Sequence, residues 1–373
     1  MKKNNLQILH IIWWGEIGGI AFNLLDQVAH FKNSHQLTIC ILGRDSGPLT
    51  GLLENYEVSI VQMRATSGLD IFAFIRLLRF IRKHKFDIVH NHIPSYFSTI
   101  ALLIGGRSAR RIFQEHGGLQ KPDLKQFTTL FYRLFTLAYD KFIAVSDDIA
   151  KSMINVGVPE EKIRIIYNPV DVMKFNSDLS REKAKKILGL PEGFSVIGTA
   201  CRFAPEKNLK LFLEAAKSIY LSLKNICFVM VGDGKEKGEL VNLANEYGLV
   251  NAVYFTGVRT DMYNVWRAFD IYLFTSSHES FGRTLLESQA CETPVVAALP
   301  LTGGATDIIK SSPAIIYVTD RNASHLAESA IHLLNSTKKR EHMGRLGRAW
   351  VMERFDVKNW VNQLESLYIS LCS

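Results

Sequence analysis

Short apolar runs alternate with longer amphipathic stretches, and this alternation occurs twice along the chain. Runs such as Leu6–Trp13 are apolar almost throughout, which indicates strands that are buried on both faces. Stretches such as Asp70–Lys83 instead carry apolar residues at helical spacing. A repeated order of strand, helix and strand is typical of a parallel, doubly wound sheet, so the pattern predicts an α/β fold.

The two rounds of the pattern predict two domains, which suits a chain of 373 residues. The strands predicted for the first are Leu6–Trp13, Leu37–Leu42, Val58–Gln62, Asp87–His90, Arg111–Glu115, Lys141–Val145 and Ile163–Tyr167. Those predicted for the second are Val196–Ala200, Ile226–Val231, Val253–Thr256, Ile271–Thr275, Val295–Ala298 and Ala314–Val318. A turn at Asn168–Asp171, followed by a polar stretch to Lys186, predicts a hinge. Two open sheets that face each other place a cleft at the carboxyl ends of their strands.

Composition fits a globular protein, with 47% hydrophobic and 21% charged residues. The apolar run Leu6–Trp14 has no signal-peptide cleavage site after it, and five scattered cysteines fit a reducing cytoplasm. The formal net charge is +8, and Arg64–Arg133 holds twelve basic residues against four acidic ones. This excess predicts an anionic partner such as phosphate or an acidic lipid surface. Nucleic acid fits poorly, because no basic and aromatic reading motif is present.

The segment Glu279–Glu287 lies between a predicted strand and a helix. The amides from Phe281 to Leu285, which include those of Gly282 and Thr284, lie near the helix start, where backbone donors lack intrahelical partners and attract phosphate. Glu279 would accept hydroxyls on one side of that phosphate, and Glu287 would take a diol on the other. This arrangement suits a ligand of sugar, diphosphate and ribose. The same spacing also fits a helix with ordinary N-terminal acids.

A second strand-to-helix loop, Cys201–Asn208, contains Arg202 and Lys207. Arginine gives a planar fork and lysine a point charge, a pair that suits a diphosphate and the charge that develops on it as it leaves. A solvated loop is the alternative.

Two weaker signals follow strands of the first domain. The Gly15–Gly19 turn, with Gly18 and Gly19, would let the backbone approach a ligand closely, but it lacks the spacing of a nicotinamide site. His116 follows a strand and precedes two glycines, so it either faces the cleft or is structural. The chain has no D-x-D pair, and no cluster of histidines and cysteines has metal-ligand spacing, so no metal site is expected.

Taken in order, these segments resemble the large GT-B glycosyltransferase family that contains bacterial sugar transferases and sucrose-type synthases, often called family four. The segments that carry the resemblance are Gly18-Gly19, Asp87–His90, Glu115–Gly117, Ala144–Ser146, Asn168–Asp171, Arg202 with Glu206–Asn208, Gly232–Gly234, Phe255–Gly257, Glu279–Glu287 and Pro294–Ala297. They run along nearly the whole chain, and the two glutamates with Phe281-Gly282 between them are the most specific.

The resemblance implies two Rossmann-like domains that face each other across a cleft. Residues 1–172 would form the acceptor side and 173–356 the donor side, with a last helix at about 357–373 crossing back to the first domain. It also implies hexosyl transfer with retention of configuration and without a metal or cofactor, the departing phosphate taking the proton of the acceptor.

The resemblance also assigns roles to single residues. Arg202 and Lys207 would hold the donor phosphates, and Gly18-Gly19 would close over them. Glu279 and the amides of Phe281 and Gly282, with Thr284 and Leu285 beside them, would hold the sugar. Glu287 would hold the ribose, and His116 would lie beside the donor sugar.

Two positions depart from the family pattern. Glu292 stands where glycine is usual after the helix that carries Glu287, and a left-handed backbone there would cost a glutamate on the order of 1 kcal/mol. Asp307 stands where glutamate is common, which puts any ligand contact there in doubt.

The acceptor would be a glycan or a lipid-linked glycan that meets the basic first domain. The amphipathic, cationic stretch Phe72–Lys85 and the aromatic and basic segment 121–141 would rest on an anionic membrane at the inner face of the cell membrane, unless their apolar positions pack on the sheet. The expected setting is bacterial cell-surface polysaccharide, lipopolysaccharide or glycolipid synthesis. The alternatives are a silent nucleotide-sugar-binding subunit and a GT-B nucleotide-sugar epimerase.

Overall fold

The computed structural model describes residues 5–15, 19–31, 33–45, 47–54, 56, 58–93, 95–106, 108–117, 135–175 and 179–373. The chain folds into two compact units. Residues 1–169 and Val357–Ser373 belong to unit 1, and Val170–Asp356 form unit 2. Gly18 and most of the segment 121–141 lie outside the described residues.

Unit 1 is built on a seven-stranded sheet of order β3-β2-β1-β4-β5-β6-β7, and every pairing in it is parallel. Its strands are β1 (Gln7–Ile12), β2 (Gln36–Gly43), β3 (Ser59–Ala65), β4 (Ile88–Asn91), β5 (Arg110–Glu115), β6 (Lys141–Ala144) and β7 (Ile163–Ile165). The helices are α1 (Gly19–Phe31), α2 (Gly47–Leu53), α3 (Ile71–Lys83), α4 (Tyr96–Gly105), α5 (Asp147–Asn155) and, at the end of the chain, α14 (Val357–Cys372).

Unit 2 repeats the design with six parallel strands in the order β10-β9-β8-β11-β12-β13. The strands are β8 (Ser195–Ala200), β9 (Ile226–Val231), β10 (Val253–Gly257), β11 (Ile271–Phe274), β12 (Val295–Ala298) and β13 (Ile315–Val318). The helices are α6 (Arg181–Ile187), α7 (Leu209–Ser222), α8 (Lys237–Glu246), α9 (Met262–Ala268), α10 (Arg283–Ala290), α11 (Ala305–Ser311), α12 (Ala323–Leu334) and α13 (Thr337–Phe355). The predicted α/β class, with two Rossmann-like parallel-sheet domains, is confirmed.

In each sheet the strand order reverses between two neighbouring strands. The reversal falls between β1 and β4 in unit 1 and between β8 and β11 in unit 2. Connections on the two sides of such a point run in opposite directions, which leaves a crevice beyond the carboxyl ends of the strands where ligands of α/β proteins bind. The loops with Lys207 and Glu279 follow β8 and β11, so both begin at the reversal point of unit 2.

The last helix completes the core of the first unit. Trp360, Leu364 and Tyr368 of α14 are buried in one cluster with Leu24 and Val28 of α1. The Tyr368 hydroxyl accepts a hydrogen bond from Nε2 of Gln27 at 2.9 Å. Residues from both ends of the chain therefore build the same core.

The polar stretch between Asn168 and Lys186 was predicted as a hinge, and its second half is helix α6 instead. The reason is Lys185, which is only 5% exposed. Its ammonium lies 3.1 Å from a carboxylate oxygen of Asp270 and donates to the Phe194 carbonyl at 2.8 Å. A buried, paired lysine looks like a solvated residue in sequence, so the periodicity of this helix was missed.

Glu292 has the left-handed backbone that the family pattern indicated, with φ at +58°. It follows the end of α10, where its amide donates to the Gln289 carbonyl and the next amide, of Thr293, donates to the Ser288 carbonyl, both at 2.9 Å. This pair of bonds is a Schellman motif, which normally ends in glycine. A Cβ on Gly344 would approach the Glu292 carbonyl to 2.4 Å, so helix α13 packs directly on this backbone.

Replacing Glu292 with glycine is therefore expected to stabilise unit 2 by about 1 kcal/mol, because the left-handed strain is relieved. For a domain of this size the melting temperature should rise by roughly 2–4 °C in a thermal unfolding scan. Glu292→Ala is the matched control, because it removes the distant ion pair with Arg267 (3.7 Å) and keeps the Cβ. An equal gain from alanine would show that strain is not the cause.

Candidate functional site

The first loop of the site connects β8 to α7 and carries two cations. Residues Pro205–Lys207 form a 3-10 turn, and Asn208 has φ of +47° before α7 begins. Arg202 is largely exposed and donates to Glu206 Oε1 at 2.7 Å. Partial burial raises the pKa of Glu206, but the Arg202 hydrogen bond, its own backbone amide and the nearby cations together lower it below its ordinary value. Glu206 is thus an anion that already holds Arg202.

Lys207 and Glu279 come together, although 72 positions separate them in the chain. Nζ of Lys207 lies 2.6 Å from Oε2 of Glu279, and the two side chains are 16% and 20% exposed. The loops that carry Lys207 and Glu279 come together because they follow β8 and β11, which pair in parallel at the reversal point. The Thr275 hydroxyl donates to the Lys207 carbonyl at 3.0 Å, and the Ser277 amide donates to the Glu206 carbonyl at 2.8 Å.

The backbone around Glu279 is held from the other side as well. Gly303, with φ of +104°, packs so closely that a Cβ on it would lie 2.2 Å from the Glu279 carbonyl oxygen. The guanidinium of Arg321 donates to the carbonyls of Thr275, Ser276 and Leu299 at 2.6 to 2.9 Å. These contacts fix the loop after β11, and nothing in the sequence indicated the role of Arg321.

The start of α10 follows directly. Gly282 has φ of +87° and precedes the helix, and Phe281 is buried against Phe355 with ring centroids 6.2 Å apart. The Thr284 hydroxyl lies 3.0 Å from the Tyr272 hydroxyl. One expectation for these amides is wrong, because the amide of Leu285 donates to the Gly282 carbonyl at 2.9 Å and already has a partner.

Glu287 lies on α10 with only 8% of its surface exposed. Its Oε1 accepts from Nε of Arg283 at 2.9 Å, and its Oε2 accepts from the indole of Trp266 at 3.2 Å. Each carboxylate oxygen has a further lone pair, so two hydroxyls can still be accepted. Arg283 and Trp266 orient this carboxylate, and the sequence reading did not single them out.

The remaining candidates lie in unit 1. Gly19 is the first residue of α1, and a Cβ on it would meet no described residue within 4 Å. His116 follows β5, and Nε2 of its ring lies 3.1 Å from Nδ1 of His92. Gly117, with φ of +109°, donates its amide to the Glu115 carboxylate at 2.9 Å.

A buried histidine cluster was missed from the sequence. His10, His90 and His92 offer ring nitrogens that lie within 4.8 Å of one another, a grouping that could hold a metal ion. His10 and His90 are direct partners across β1 and β4, and His92 lies two positions further on the same face. The His90-x-His92 spacing was the available signal. Spacing alone did not indicate the cluster, because His10 comes next to His90 only through the pairing of β1 with β4.

All of these histidines are held in the neutral form. Burial lowers the pKa of His10 to about 3 and that of His116 to about 4. Burial, with the neighbouring imidazoles, also keeps the pKa values of His90 and His92 well below the ordinary range. Each ring therefore carries one N–H at neutral pH.

Two doubly wound domains, with a lysine and carboxylates beyond the strand ends of the second, have the architecture expected of the GT-B glycosyltransferase class. A family model described as "Glycosyl transferases group 1" matches residues 180–350, and another, "Glycosyltransferase Family 4", matches residues 17–174. The chain belongs to the GT-B glycosyltransferases of family four.

Relatives match either nearly the full length of the chain or part of it. The chain is 24% identical over 387 aligned positions to the Escherichia coli UDP-Gal:alpha-D-GlcNAc-diphosphoundecaprenol alpha-1,3-galactosyltransferase, with 99% of this chain and 98% of that protein covered. It is 26% identical to the N-acetyl-alpha-D-glucosaminyl L-malate synthase of Bacillus anthracis, over 61% of this chain and 59% of that protein. Its fold is similar to that of HepE from Anabaena, solved with UDP, with a TM-score of 0.85, 22% identity, and 98% and 100% of the chains covered.

No helix among the described residues is both long enough and apolar enough to cross a membrane.

Proposed function

We propose that this glycosyltransferase moves a hexose from a uridine diphosphate sugar to a glycan acceptor carried on a lipid, with retention of configuration and without a metal or cofactor. The setting is the synthesis of a bacterial cell-surface polysaccharide, lipopolysaccharide or glycolipid. The observation that carries the proposal is the Lys207–Glu279 pair, a cation and a carboxylate at the reversal point of unit 2.

The pair suits the two halves of a nucleotide sugar. Lys207 supplies positive charge for the diphosphate, and this charge matters most as the phosphate leaves. Glu279 supplies an acceptor for sugar hydroxyls. Arg202 reaches from the same loop as Lys207, and its partner Glu206 is the group that a diphosphate would replace. Cationic side chains then provide the stabilisation that a divalent ion provides in other transferases.

Glu287 is the residue that would bind the nucleoside part of the donor. Its carboxylate is buried and fixed by Arg283 and Trp266, so it would meet a ribose diol without first losing side-chain freedom. The identity of the base rests on relatives, since the Escherichia coli relative is named for UDP-Gal and HepE was solved with UDP.

A panel of UDP-, GDP- and ADP-sugars tests the donor. UDP-hexoses are expected to raise the melting temperature, by a linkage of about 2.7 kcal/mol at a concentration one hundred times Kd, and the other bases are expected to do so less. A chain that no nucleotide sugar stabilises would contradict the donor site. Turnover of a stabilising sugar without any acceptor would instead indicate an epimerase, and stabilisation without any turnover a silent subunit.

The acceptor side of the proposal rests on two helices of unit 1. On α3 and its N-terminal flank, Leu69, Ile71 and Phe72 are 93%, 63% and 72% exposed. Ile100, Leu103 and Ile104 on α4 are also exposed. The helices pack together through Phe74 and Phe97, with ring centroids 5.7 Å apart. We call these exposed residues the α3–α4 face.

Basic side chains flank the α3–α4 face, namely Arg76, Arg79, Arg82, Lys83 and Lys85, all of them exposed. Ala73, Leu77 and Ile81 of α3 are buried whereas Phe72 and Ile75 are exposed, which supports a role for this helix at a surface. Exposed apolar residues beside cations suit the interface of an anionic membrane, where a lipid-linked acceptor resides.

Flotation with vesicles tests the α3–α4 face. The protein is expected to float with vesicles that contain phosphatidylglycerol at low salt, and much less with pure phosphatidylcholine or at high salt. The double variant Ile71→Ser, Phe72→Ser should remove most of the binding. Leu221→Ser changes an equally exposed leucine in unit 2 (79% exposed) and should leave binding intact. Equal flotation of all three proteins would refute the assignment of this face.

A further inference from the structure

Three histidines of unit 1 form a hydrogen-bonded row that ends at His116. Nδ1 of His10 lies 3.0 Å from Nε2 of His92, and Nδ1 of His92 lies 3.1 Å from Nε2 of His116. His10 is fully buried on β1, His92 is 5% exposed just after β4, and His116 is partly exposed after β5. The row therefore runs from the core of the unit to its carboxyl-end surface.

The buried ring of His10 determines which histidine donates each hydrogen bond of the row. Nε2 of His10 is buried and has no hydrogen-bond partner among the residues that the structure describes. A neutral imidazole carries its proton on one nitrogen only. A proton on Nε2 would leave a buried N–H without an acceptor, at a cost of about 1–3 kcal/mol, whereas an unused lone pair is tolerated more readily. The proton of His10 therefore belongs on Nδ1, which donates to His92.

The protonated nitrogen of His10 determines the protonated nitrogen of His92 and then that of His116. Because Nε2 of His92 accepts from His10, the single proton of His92 is on Nδ1, and it donates to Nε2 of His116. Nε2 of His116 is then an acceptor, and the proton of His116 is left on Nδ1. Within the described part of the chain, no hydrogen bond engages that Nδ1.

We propose that His10 and His92 are positioning residues that hold His116 as an Nδ1–H hydrogen-bond donor. His116 donates to an oxygen of its ligand and has no lone pair on Nδ1 with which to take a proton. This deepens the proposed function and rests on it, because the ligand of His116 is taken to be a substrate of the proposed transfer. With its proton on Nδ1, His116 can assist the reaction as a hydrogen-bond donor but cannot act as the base.

His90 stands beside the row and is not a member. Its ring stacks on His92 with centroids 4.2 Å apart, and its Nδ1 lies 2.6 Å from the hydroxyl of Tyr368. Nε2 of His90 is also buried without a partner among the described residues, so the same argument places the proton of His90 on Nδ1, which donates to the Tyr368 hydroxyl. The stack keeps the ring of His92 in the plane that both of its hydrogen bonds require.

The test is a long-range proton–nitrogen correlation spectrum of the ligand-free wild-type protein with ¹⁵N-labelled histidine, at neutral pH. It shows directly which nitrogen of each ring is protonated. His116→Gln identifies the His116 signals, and this partly exposed position tolerates a polar residue. The expected result is a His116 ring protonated on Nδ1. A ring protonated on Nε2, or an equal mixture, overturns the proposal. So does a stoichiometric metal ion, because His10 Nδ1 and His92 Nε2 would then both be its ligands.

A double-mutant cycle tests whether His92 acts through His116. His92→Leu is expected to lower kcat roughly tenfold, a size typical of a lost orienting partner, and to leave kcat unchanged when His116 is already alanine. His92→Asn places an N–H where Nδ1 lay and should recover part of the rate. An equal loss in both backgrounds would show a merely structural role and overturn the proposal.

The spectrum and the kinetic measurements test different parts of the proposal, so their failures can be distinguished. Wild-type activity of His116→Ala would remove His116 from the proposed function, while the spectrum of the ligand-free protein still decides the direction of the row. If His92→Leu does not fold, the spectrum alone remains decisive, because it needs no variant within the core.

Discussion

Lys207→Met is expected to lower kcat by about 10²–10³-fold, the loss that follows removal of one group that stabilises developing charge. KM for the donor should change less, because the charge of the diphosphate grows as the bond to the sugar breaks. The measurement is steady-state transfer from the donor that stabilises the protein, in the presence of a chelator since the proposed reaction uses no metal. Methionine keeps the length of the lysine stem and removes only the charge.

Lys210→Met is the matched control for this variant. Lys210 lies in the first turn of the helix that follows the same loop, and its exposed ammonium pairs with Glu239. Exposed ion pairs contribute little, so its kinetics should match the wild type. Arg202→Met should lower kcat as well, and should add to the loss in Lys207→Met. Wild-type kcat in Lys207→Met would remove the observation on which the proposed function rests.

Glu287→Ala is expected to weaken the binding of UDP by roughly 10- to 100-fold in a calorimetric titration, because two charge-assisted hydrogen bonds to the ribose are lost. The variant also leaves Arg283 and Trp266 without their partner, so its melting temperature should fall. Glu287→Gln separates the two effects, because it keeps the shape and an acceptor for Trp266 while the charge disappears.

The comparison of these two variants is decisive for the ribose assignment. A ribose ligand predicts that Glu287→Gln retains most of the stability of unit 2 and still binds UDP less tightly. If glutamine binds UDP as the wild type does while alanine does not, the role of Glu287 is to support the helix start and not to hold the nucleoside.

The sequence predicted most closely those strands that are buried on both faces. β9 and β12 were predicted with the bounds that the structure has, Ile226–Val231 and Val295–Ala298. In such strands nearly every residue is apolar, so the apolar run itself defines where the strand begins and ends. The helices were predicted less completely. α6 was missed because its buried face includes Lys185, which only pairing with Asp270 allows inside.

The candidate site was predictable where its residues are neighbours in sequence. Arg202 and Lys207 share one loop, and Phe281 to Glu287 span the end of another loop and the first turns of α10. What joins those loops is the pairing of β8 with β11, a contact that sequence spacing does not contain. The same limit explains Trp266 and Arg321, which reach the site from α9 and from the loop after β13. It explains the histidine row too, because His10 lies within β1 while His92 and His116 follow β4 and β5.

The return of α14 to the first unit has a consequence for the synthesis of this protein on the ribosome. The first unit has nearly all of its residues early in translation, but its core lacks Trp360, Leu364 and Tyr368 until the last segment emerges. The second unit is by then complete in sequence. The usual order of domain folding during translation, from the amino terminus onward, is therefore reversed in its last step. The unit that is made first is finished last, because Leu24 and Val28 lack part of their packing until α14 has been synthesised.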